Sequence, residues 1–307
     1  MDGLFAEHGL DVEILDPSGG PDNVARVASG GSDFYLTSVN HYLSAVARHD
    51  DLAARFVAVV VQRSPIGALV AAASELREPA DLAGAKVGGD PANPQTIELL
   101  ASLRHRGVAA PELVEIPDNA LARAALARGE VDAIPALVDA LPRRRRQAGI
   151  PLRAIRAGRD DVYASGLLAA DRFSDEEAWQ VRRAVVAALE QQRRRPSGGL
   201  DTMDARYADD RTEDAPEGWA MLEPFVFTGD PVGSMDAARW ATTLDFLCRI
   251  RGLPRPAGES VYRPQFLIAS GAAPPTHGFA VLPHPRPARW RSRGRRRLPI
   301  DTDCRWA

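Results

Sequence analysis

Cysteine is scarce in this chain, which has two, Cys248 and Cys304, among its 307 residues. Two thiols are too few for a disulfide framework or a thiolate metal site. Cys248 falls in an apolar stretch of helical periodicity, so we expect a buried thiol. The six histidines show no H-x-x-x-H or H-E-x-x-H spacing. The sequence therefore predicts no metal site and no cofactor.

Long hydrophobic runs are also missing. The longest strongly apolar stretch is residues 56–61, much shorter than the roughly 18 residues that a membrane-spanning helix needs. Asp2 stands where a secretory leader carries Lys or Arg, and no apolar stretch follows it. The sequence therefore predicts neither a membrane span nor a signal peptide within this chain.

Lysine occurs once, at Lys86, and the other 37 of the 38 basic residues are arginine. Residues 277–307 hold eight Arg and two Asp, although the whole chain has a net charge of −3. Such a tail can indicate nucleic-acid or membrane affinity. It is also rich in proline and lacks periodicity, so we expect residues 271–307 to be a disordered or non-native basic tail. The arginine runs are not interleaved with aromatic residues, which argues against a nucleic-acid partner.

Motifs of the common catalytic and nucleotide-binding loops do not occur. The chain has no G-x-S-x-G, no P-loop and no G-x-G-x-x-G. Its serine, histidine and aspartate residues show no spacing that links them into a catalytic set. We therefore expect no catalytic residues and a protein that is not an enzyme.

Strand and helix patterns alternate along most of the chain. The predicted strands cover residues 12–15, 34–36, 56–62, 68–73, 86–88, 113–116, 133–137, 152–155 and 163–169. The predicted helices cover residues 22–29, 40–47, 96–106, 120–128, 175–194, 219–222 and 237–251. This alternation is typical of an α/β fold with parallel-type sheets.

The first residues carry a specific order of elements. Residues 3–14 place a short helix before Gly9, whose left-handed turn can close a helix. From Leu10 to Ile14, apolar residues alternate with acidic ones, as in a strand. A glycine pair, a helical stretch and residues 32–36 follow. The chain thus opens in the middle of a strand–helix–strand unit.

Further motifs follow in a fixed order. They are Ser64-Pro65 with residues 69–71, residues 79–88, residues 129–134, and residues 233–240 with Gly252-Leu253. With the opening segment, they resemble the substrate-binding proteins of ABC importers, in the group that takes nitrate, alkanesulfonates, taurine or thiamine pyrimidine precursors. The resemblance covers about residues 3–270. Because that family has a strand before the first helix, it implies that this chain lacks its signal segment and first strand.

This resemblance implies a two-lobed α/β fold of the type II periplasmic-binding-protein kind, with a hinge and an interlobe cleft. Lobe one would be residues 1–83 plus 164–270, and lobe two residues 84–163. The implied function is that of the solute-binding component of an ABC importer, which captures a small organic molecule by hinge closure. The implied partners are the ligand and a membrane permease, and the implied form is a monomer outside the cytoplasm, in the periplasm or as a cell-surface lipoprotein.

Two alternatives stay open at this point. The missing leader favours a cytosolic enzyme or sensor on the same fold, in thiamine-precursor metabolism. The missing first strand and the unusual tail favour a truncated, non-functional relative. The ligand itself is open among a pyrimidine precursor, a sulfonate, taurine and nitrate.

Candidate ligand contacts follow from the rule that ligands collect outside the carboxyl ends of strands. Ser38 and Asn40 come directly after one strand, where Ser38 also fits a helix N-cap alone. Ser64 and Pro65 follow the next strand and also fit an ordinary turn. If Ser38 and Asn40 serve in binding, a hydroxyl and backbone amides face the cleft there. For Ser64 and Pro65, the resemblance implies a position at the cleft.

Two further candidates lie in the second predicted lobe and at its border. Asn93, Gln95 and Thr96 lead from a glycine pair into a helix whose N-terminus favours anions. Asp90 in the same loop opposes an anionic ligand. Tyr163, at the predicted return crossing, could stack on or hydrogen-bond a ligand.

Overall fold

Eight strands form two sheets in the part of the chain that the computed structural model describes, residues 4–15, 20–49, 52–196 and 214–267. The strands are β1 (Phe34–Ser38), β2 (Ala54–Val61), β3 (Ile66–Ala71), β4 (Lys86–Gly89), β5 (Glu112–Glu115), β6 (Ala133–Leu137), β7 (Leu152–Arg156) and β8 (Ser165–Ala170). The helices are α1 (Leu4–Glu7), α2 (Gly20–Ala28), α3 (Val39–Val46), α4 (Pro94–His105), α5 (Asn119–Ala127), α6 (Leu141–Ala148), α7 (Asp175–Arg194), α8 (Ala215–Val226), α9 (Ala237–Arg251) and α10 (Gly258–Val261). None of these described helices has the length and apolar character to cross a bilayer.

The first sheet has the strand order β1-β8-β2, and both pairings are antiparallel. The return strand β8 inserts between β1 and β2, which run parallel to each other without touching. The alternation of strands and helices predicted a parallel-type sheet, and this is wrong for the hydrogen-bonded pairs of the first sheet. The reason is that a strand from much later in the chain occupies the central position.

The second sheet has the order β5-β4-β6-β3-β7. Strands β5, β4 and β6 are mutually parallel, while β3 pairs antiparallel with β6 and β7. The close fit of β3 depends on Gly67, where an added Cβ would lie 2.3 Å from the carbonyl oxygen of Ile155. Strand β3 therefore lies in the second sheet, although the sequence placed it in lobe one.

Two chain crossings connect the sheets, at residues 62–65 and 157–164. The Ser64 amide of the first crossing donates to the Arg159 carbonyl of the second at 3.0 Å, and the Gly158 amide of the second crossing donates to the carbonyl of Ile66, at the start of β3, at 2.8 Å. The first crossing thus precedes the one expected near Gly84. The second crossing contains Tyr163. The lobe boundaries as a whole stay a prediction.

The buried residues fall into groups that follow the two sheets. One large group surrounds the first sheet, with Trp240 of α9 at its centre, and two others cover the two faces of the second sheet. A fourth joins the end of β2, Val138 after β6, and Phe225 and Val226 of α8. Helix α8 therefore packs against both halves of the molecule. Cys248 of α9 is buried, as its periodicity predicted.

The strand predicted at residues 12–15 is wrong, since residues 10–15 form no strand. No described strand lies beside this segment to accept its backbone hydrogen bonds, and Val12, Ile14 and Leu15 are exposed. The alternating pattern was present, but a strand also needs a hydrogen-bonding neighbour. The predicted basic tail, residues 271–307, lies outside the described residues.

Candidate functional site

A buried carboxyl group joins the two halves of the molecule. Glu98 lies on α4, beside the second sheet, and it is 7% exposed. Its Oε1 accepts a hydrogen bond from the Ser64 hydroxyl at 2.5 Å, and its Oε2 accepts one from the Asn40 amide nitrogen at 2.8 Å. Asn40 belongs to α3, which packs on the first sheet, and Ser64 lies in the first crossing. Glu98 therefore contacts both the first half of the molecule and the first crossing.

Burial raises the pKa of Glu98, and the hydrogen bonds from Ser64 and Asn40 oppose that rise. Among the residues that the structure describes, Asn40 Oδ1 is buried and has no hydrogen-bond partner. Desolvation makes the charged carboxylate of Glu98 less favourable here than in water.

Local capping fixes Asn40 at this place. The Ser38 hydroxyl accepts the His41 amide hydrogen at 3.1 Å and caps the N-terminus of α3. Arg251 of α9 donates to the Asn40 carbonyl at 3.0 Å and to the Ser44 hydroxyl at 2.7 Å. The Ser38 side chain thus acts as a helix cap, while Asn40 reaches across to Glu98.

A small pocket lies at the carboxyl edge of the second sheet. It is lined by Gly88, Gly89, Asn93, Gln95, Thr96, Asn119, Ala122, Arg123, Ile134, Pro135 and Arg144. Asn93 caps α4, since its side-chain oxygen accepts the Gln95 amide hydrogen at 2.8 Å. The predicted loop residues Asn93, Gln95 and Thr96 therefore come together here, at a helix N-terminus.

Two arginines give this pocket a positive charge. Burial, together with the nearby charges of Arg123 and Arg143, lowers the pKa of Arg144 to about 10. Burial also lowers the pKa of Arg123, while the carboxylate of Asp118 acts in the opposite direction. Both cations are thus held where water solvates them poorly and where they repel each other.

Pro65 and Tyr163 lie away from that pocket. Tyr163 is 2% exposed, its ring packs edge-on against Trp240 at 5.2 Å, and its hydroxyl accepts the Asp236 amide hydrogen at 2.9 Å. Burial raises the pKa of Tyr163 to about 12, so the hydroxyl stays neutral. The carbonyl of Pro65 accepts the Val138 amide hydrogen at 3.0 Å. Tyr163 therefore belongs to the core around the first sheet, and Pro65 to the junction of the two halves.

Arg239 of α9 connects the two crossings. Its guanidinium donates to the carbonyl oxygens of Gln62, in the first crossing, and Asp160, in the second. It also lies 4.6 Å from the ring centroid of Tyr163. One side chain of the first half thus holds both connections together.

Sequence reasoning missed Glu98, Arg123, Arg144 and Arg239. All four are charged residues in helices, where such residues usually lie on a solvated face. For Arg144, the one available signal was its place in the arginine run at residues 143–146. Glu98 follows the predicted loop by two residues, but nothing in the sequence marks it as buried.

Solved structures with the same fold include several sulfonate-binding proteins. The alkanesulfonate-binding protein SsuA from Xanthomonas axonopodis pv. citri, bound to MOPS, matches with a TM-score of 0.58 and 20% identity, over 86% of this chain and 91% of that chain. The periplasmic aliphatic sulphonate binding protein SsuA from Escherichia coli matches with a TM-score of 0.60 and 19% identity, over 81% and 86%. The putative periplasmic sulfonate-binding protein SsuA from Methylobacillus flagellatus KT matches with a TM-score of 0.60 and 16% identity, over 86% and 83%.

At these identities the likeness shows the fold, and it confirms the predicted two-lobed α/β architecture. No curated protein matches the sequence significantly. The profile of the family described as "NMT1/THI5 like" matches residues 1–191. The resemblance drawn from the opening segment and the later motifs is thereby confirmed, and the chain belongs to the NMT1/THI5-like family.

Proposed function

We propose that this protein is the solute-binding component of an ABC importer and that it captures a small organic molecule without transforming it. The contact of Glu98 with Asn40 and Ser64 carries the proposal. It joins an α3 residue of the first half, a crossing residue and an α4 residue of the second half at one buried point. A change in the angle between the halves would open or close this point, which is how hinge-type binding proteins enclose a ligand.

Family membership and the fold of the SsuA proteins support this function. The candidate solutes are those that the sequence motifs suggested: a pyrimidine precursor, a sulfonate, taurine or nitrate. We propose that Asn40, Ser64, Asn93, Gln95 and Thr96 contact the solute from the two sides of the cleft. Three other predicted residues hold these groups in position: Ser38, Pro65 and Tyr163.

The proposal extends to partner and location. The closed, loaded protein would dock on a membrane permease outside the cytoplasm, as a monomer. The similar solved structures include ABC-transporter and periplasmic binding proteins, which supports that assignment. A cytosolic enzyme of the same family would instead turn the solute over.

A thermal-shift titration of the whole chain tests this function. The panel is an aminopyrimidine precursor, an alkanesulfonate, taurine and nitrate, at fixed ionic strength. One compound should raise the melting temperature in a saturable way, since a ligand at a hundredfold excess over its Kd adds about 2.7 kcal/mol to the unfolding free energy. Solution scattering should show a smaller radius of gyration with that compound bound.

Asn40→Ala should abolish both effects, whereas Gln191→Ala, a surface change on α7, should leave both intact. If mass spectrometry shows that the protein chemically converts the compound, the proposed binding function is wrong and the protein is an enzyme. A cooperative melt that no compound moves would contradict the proposal directly.

A further inference from the structure

The two ends of helix α8 are attached to different halves of the molecule. At its C-terminal end, Phe225 and Val226 are buried together with Val60 and Val61 of β2. The backbone amide of Gln62 donates to the Phe225 carbonyl at 2.7 Å, which links this end to the first crossing. The last turn of α8 therefore belongs to the first half.

The start of α8 is attached to the second half instead. Glu217 forms an ion pair with Arg145 of α6 at 3.2 Å, and Asp214, just before the helix, forms one with Arg146 at 2.6 Å. Partly exposed ion pairs of this kind stabilise little by themselves. Met221 adds an apolar contact, because it packs against a buried group of the second sheet. Helix α8 thus connects α6 with β2 across the junction of the halves.

The closest contact of α8 with the second half is at Gly218. A Cβ added there would lie 3.1 Å from the carbonyl oxygen of Asp139, in the short turn after β6. That distance is shorter than an ordinary van der Waals contact. Glycine lowers the stability of a helix interior, so its presence here has a packing reason: it lets α8 lie directly on the second half. A larger side chain would push the two backbones apart.

Pro224 lies inside α8, between the two attachments. Proline has no N–H, so the Ala220 carbonyl receives no helical hydrogen bond from position 224, and the ring crowds that carbonyl. Helices bend at such positions. The part of α8 on the second half can therefore change its angle to the part on the first half while both attachments stay intact.

A second contact spans the same junction, that of Glu98 with Asn40 and Ser64. Helix α8 and this buried acid are separate in the chain, and both hold the halves in the arrangement of this structure. A solute that binds only one arrangement has an apparent affinity that falls with the fraction of protein in that arrangement. A contact that stabilises the closed arrangement therefore raises affinity, even when it lies outside the solute site.

We propose that α8 is a strap that holds the two halves in the arrangement of this structure, with Pro224 as its bending point, and that its contact at Gly218 raises the affinity for solute. The inference rests on the proposed function, because it concerns the closure that captures the solute. It gives a role in affinity to a helix that contains none of the candidate solute contacts.

The test compares Gly218→Phe with Ala220→Phe, each in the whole chain. Both variants place the same ring on α8, but position 218 faces the Asp139 carbonyl, whereas Ala220 is exposed. Only the first variant should therefore push α8 away from the second half.

Spin labels measure the distance between the halves. They are attached to cysteines introduced at Arg104, exposed on α4 in the second half, and at Arg183, exposed on α7 in the first half. Cys304 is replaced by serine, and Cys248 is buried. Without solute, Gly218→Phe should shift the distance distribution away from that of the wild type, and Ala220→Phe should not.

Calorimetric titration measures the affinity. The probes are methanesulfonate, taurine, nitrate and an aminopyrimidine, at fixed ionic strength. The compound that binds the wild type should bind Gly218→Phe about tenfold more weakly, because overpacking disfavours the arrangement that contains the tight contact. Its Kd for Ala220→Phe should differ from the wild-type value by less than about twofold.

A charge exchange tests the same attachment without overpacking, in case Gly218→Phe does not fold. Glu217→Arg places another arginine beside Arg145 and Arg146, and it should shift the distance in the same direction as Gly218→Phe. Adding Arg145→Glu restores a pair of opposite charges, so the distance and the affinity should both return towards wild type. A variant that is merely unstable would not be rescued in this way. Pro224→Ala, which restores the helical hydrogen bond, should narrow the distance distribution.

The outcomes separate this inference from the proposed function. If a compound binds, but neither Gly218→Phe nor Glu217→Arg changes the distance or the Kd, the solute-binding function stands and the strap is overturned. A changed distance with an unchanged Kd, or an equal effect of Ala220→Phe, overturns it as well. If no compound binds even the wild type, the proposed function fails, while the solute-free distances still decide whether α8 holds the two halves in place.

Discussion

The Ser64 hydroxyl donates a hydrogen bond to Glu98 Oε1 across 2.5 Å, and this bond links the first crossing to helix α4. The same carboxyl group accepts the Asn40 amide, so three separate stretches of the chain meet at one buried acid. The contact ties the protonation of Glu98 to the relative placement of the two halves. Protonation of Glu98 and binding of a solute would then both affect the contact between the two halves.

Glu98→Gln should change how stability depends on pH. Burial raises the pKa of Glu98 in the folded protein above its unfolded value. A raised pKa gives stability that is fully present below the unfolded pKa and is lost as the pH rises through the folded pKa. Between those two values, the wild type should lose about 1.4 kcal/mol per pH unit from this group. The glutamine variant lacks this loss, so its stability relative to wild type should rise with pH.

Urea unfolding between pH 4 and pH 8 measures that difference. Glu176→Gln, an exposed position in the first turn of α7, provides the matched control and should give a difference that does not grow with pH. Parallel curves for wild type and Glu98→Gln would show that Glu98 ionises normally in the folded protein.

Ser64→Ala should destabilise the protein by about 1–3 kcal/mol, because it leaves the buried Glu98 Oε1 without its donor. The variant also removes a hydrogen bond that lowers the pKa of Glu98 in the folded protein, so the loss of stability with rising pH should continue to a higher pH than in the wild type. The unfolding free energy at pH 5 and pH 8 tests both points. Ser260→Ala, at an exposed serine, should cost much less, and an equal cost would mean that the Ser64–Glu98 bond contributes nothing specific.

Gly158→Ala should disrupt the second crossing. An added Cβ would lie 2.2 Å from the Ser64 carbonyl oxygen and 2.8 Å from the Ser64 hydroxyl, so backbone must shift. Gly107→Ala serves as the comparison, since Gly107 has a φ of +74° but open space around it, and its cost should be about 1–2 kcal/mol from the left-handed backbone.

Thermal melting of the two alanine variants measures these costs. The Gly158 variant should be the less stable, and it should also weaken solute binding, because Ser64 would move. If both variants melt alike, the crossings are not packed as closely as described.

Arg239→Lys should weaken the connection between the two crossings. A lysine keeps the charge but cannot reach the carbonyls of Gln62 and Asp160 together, and it stacks less well on Tyr163. Losing charge-assisted hydrogen bonds should cost about 1.5–3 kcal/mol of stability. Hydrogen exchange should accelerate at the crossing amides of Ser64 and Gly158. Arg249→Lys, exposed on the same helix, should change neither quantity.

Much of the fold could be predicted because it depends on neighbours in sequence. Helix α9 covers residues 237–251, the predicted range, because the Asp236 side chain caps its start and Gly252 takes the left-handed turn after its end. The start of α7 agrees for the same reason, since Ser174 and Glu177 form a capping box. These signals lie within a few residues of the element that they define.

The wrong predictions concern elements whose structure depends on residues far apart in the sequence. The alternating pattern at residues 12–15 needed a neighbouring strand, and the structure describes none beside it. Strand β3 joins the second sheet because Gly67 allows close contact with β7, more than 80 residues later by numbering. The loop containing Asn93, Gln95 and Thr96 lines the pocket beside α4, where strand ends and helix starts are local features that the sequence marks. Its contact with a ligand stays a prediction. The two arginines of that pocket belong to two later helices.

The sequence by itself determined the family, the two-lobed α/β fold, most helices and strands, and the loop at the start of α4. Those properties follow from motif order, local periodicity and capping, which are written into adjacent residues. Only the tertiary structure decided that Glu98 is buried against Asn40 and Ser64, and that Arg123 and Arg144 line the same pocket as Thr96. Glu98 and Asn40 are 58 positions apart in the chain, and the burial that changes the chemistry of a charged group exists only after the chain has folded.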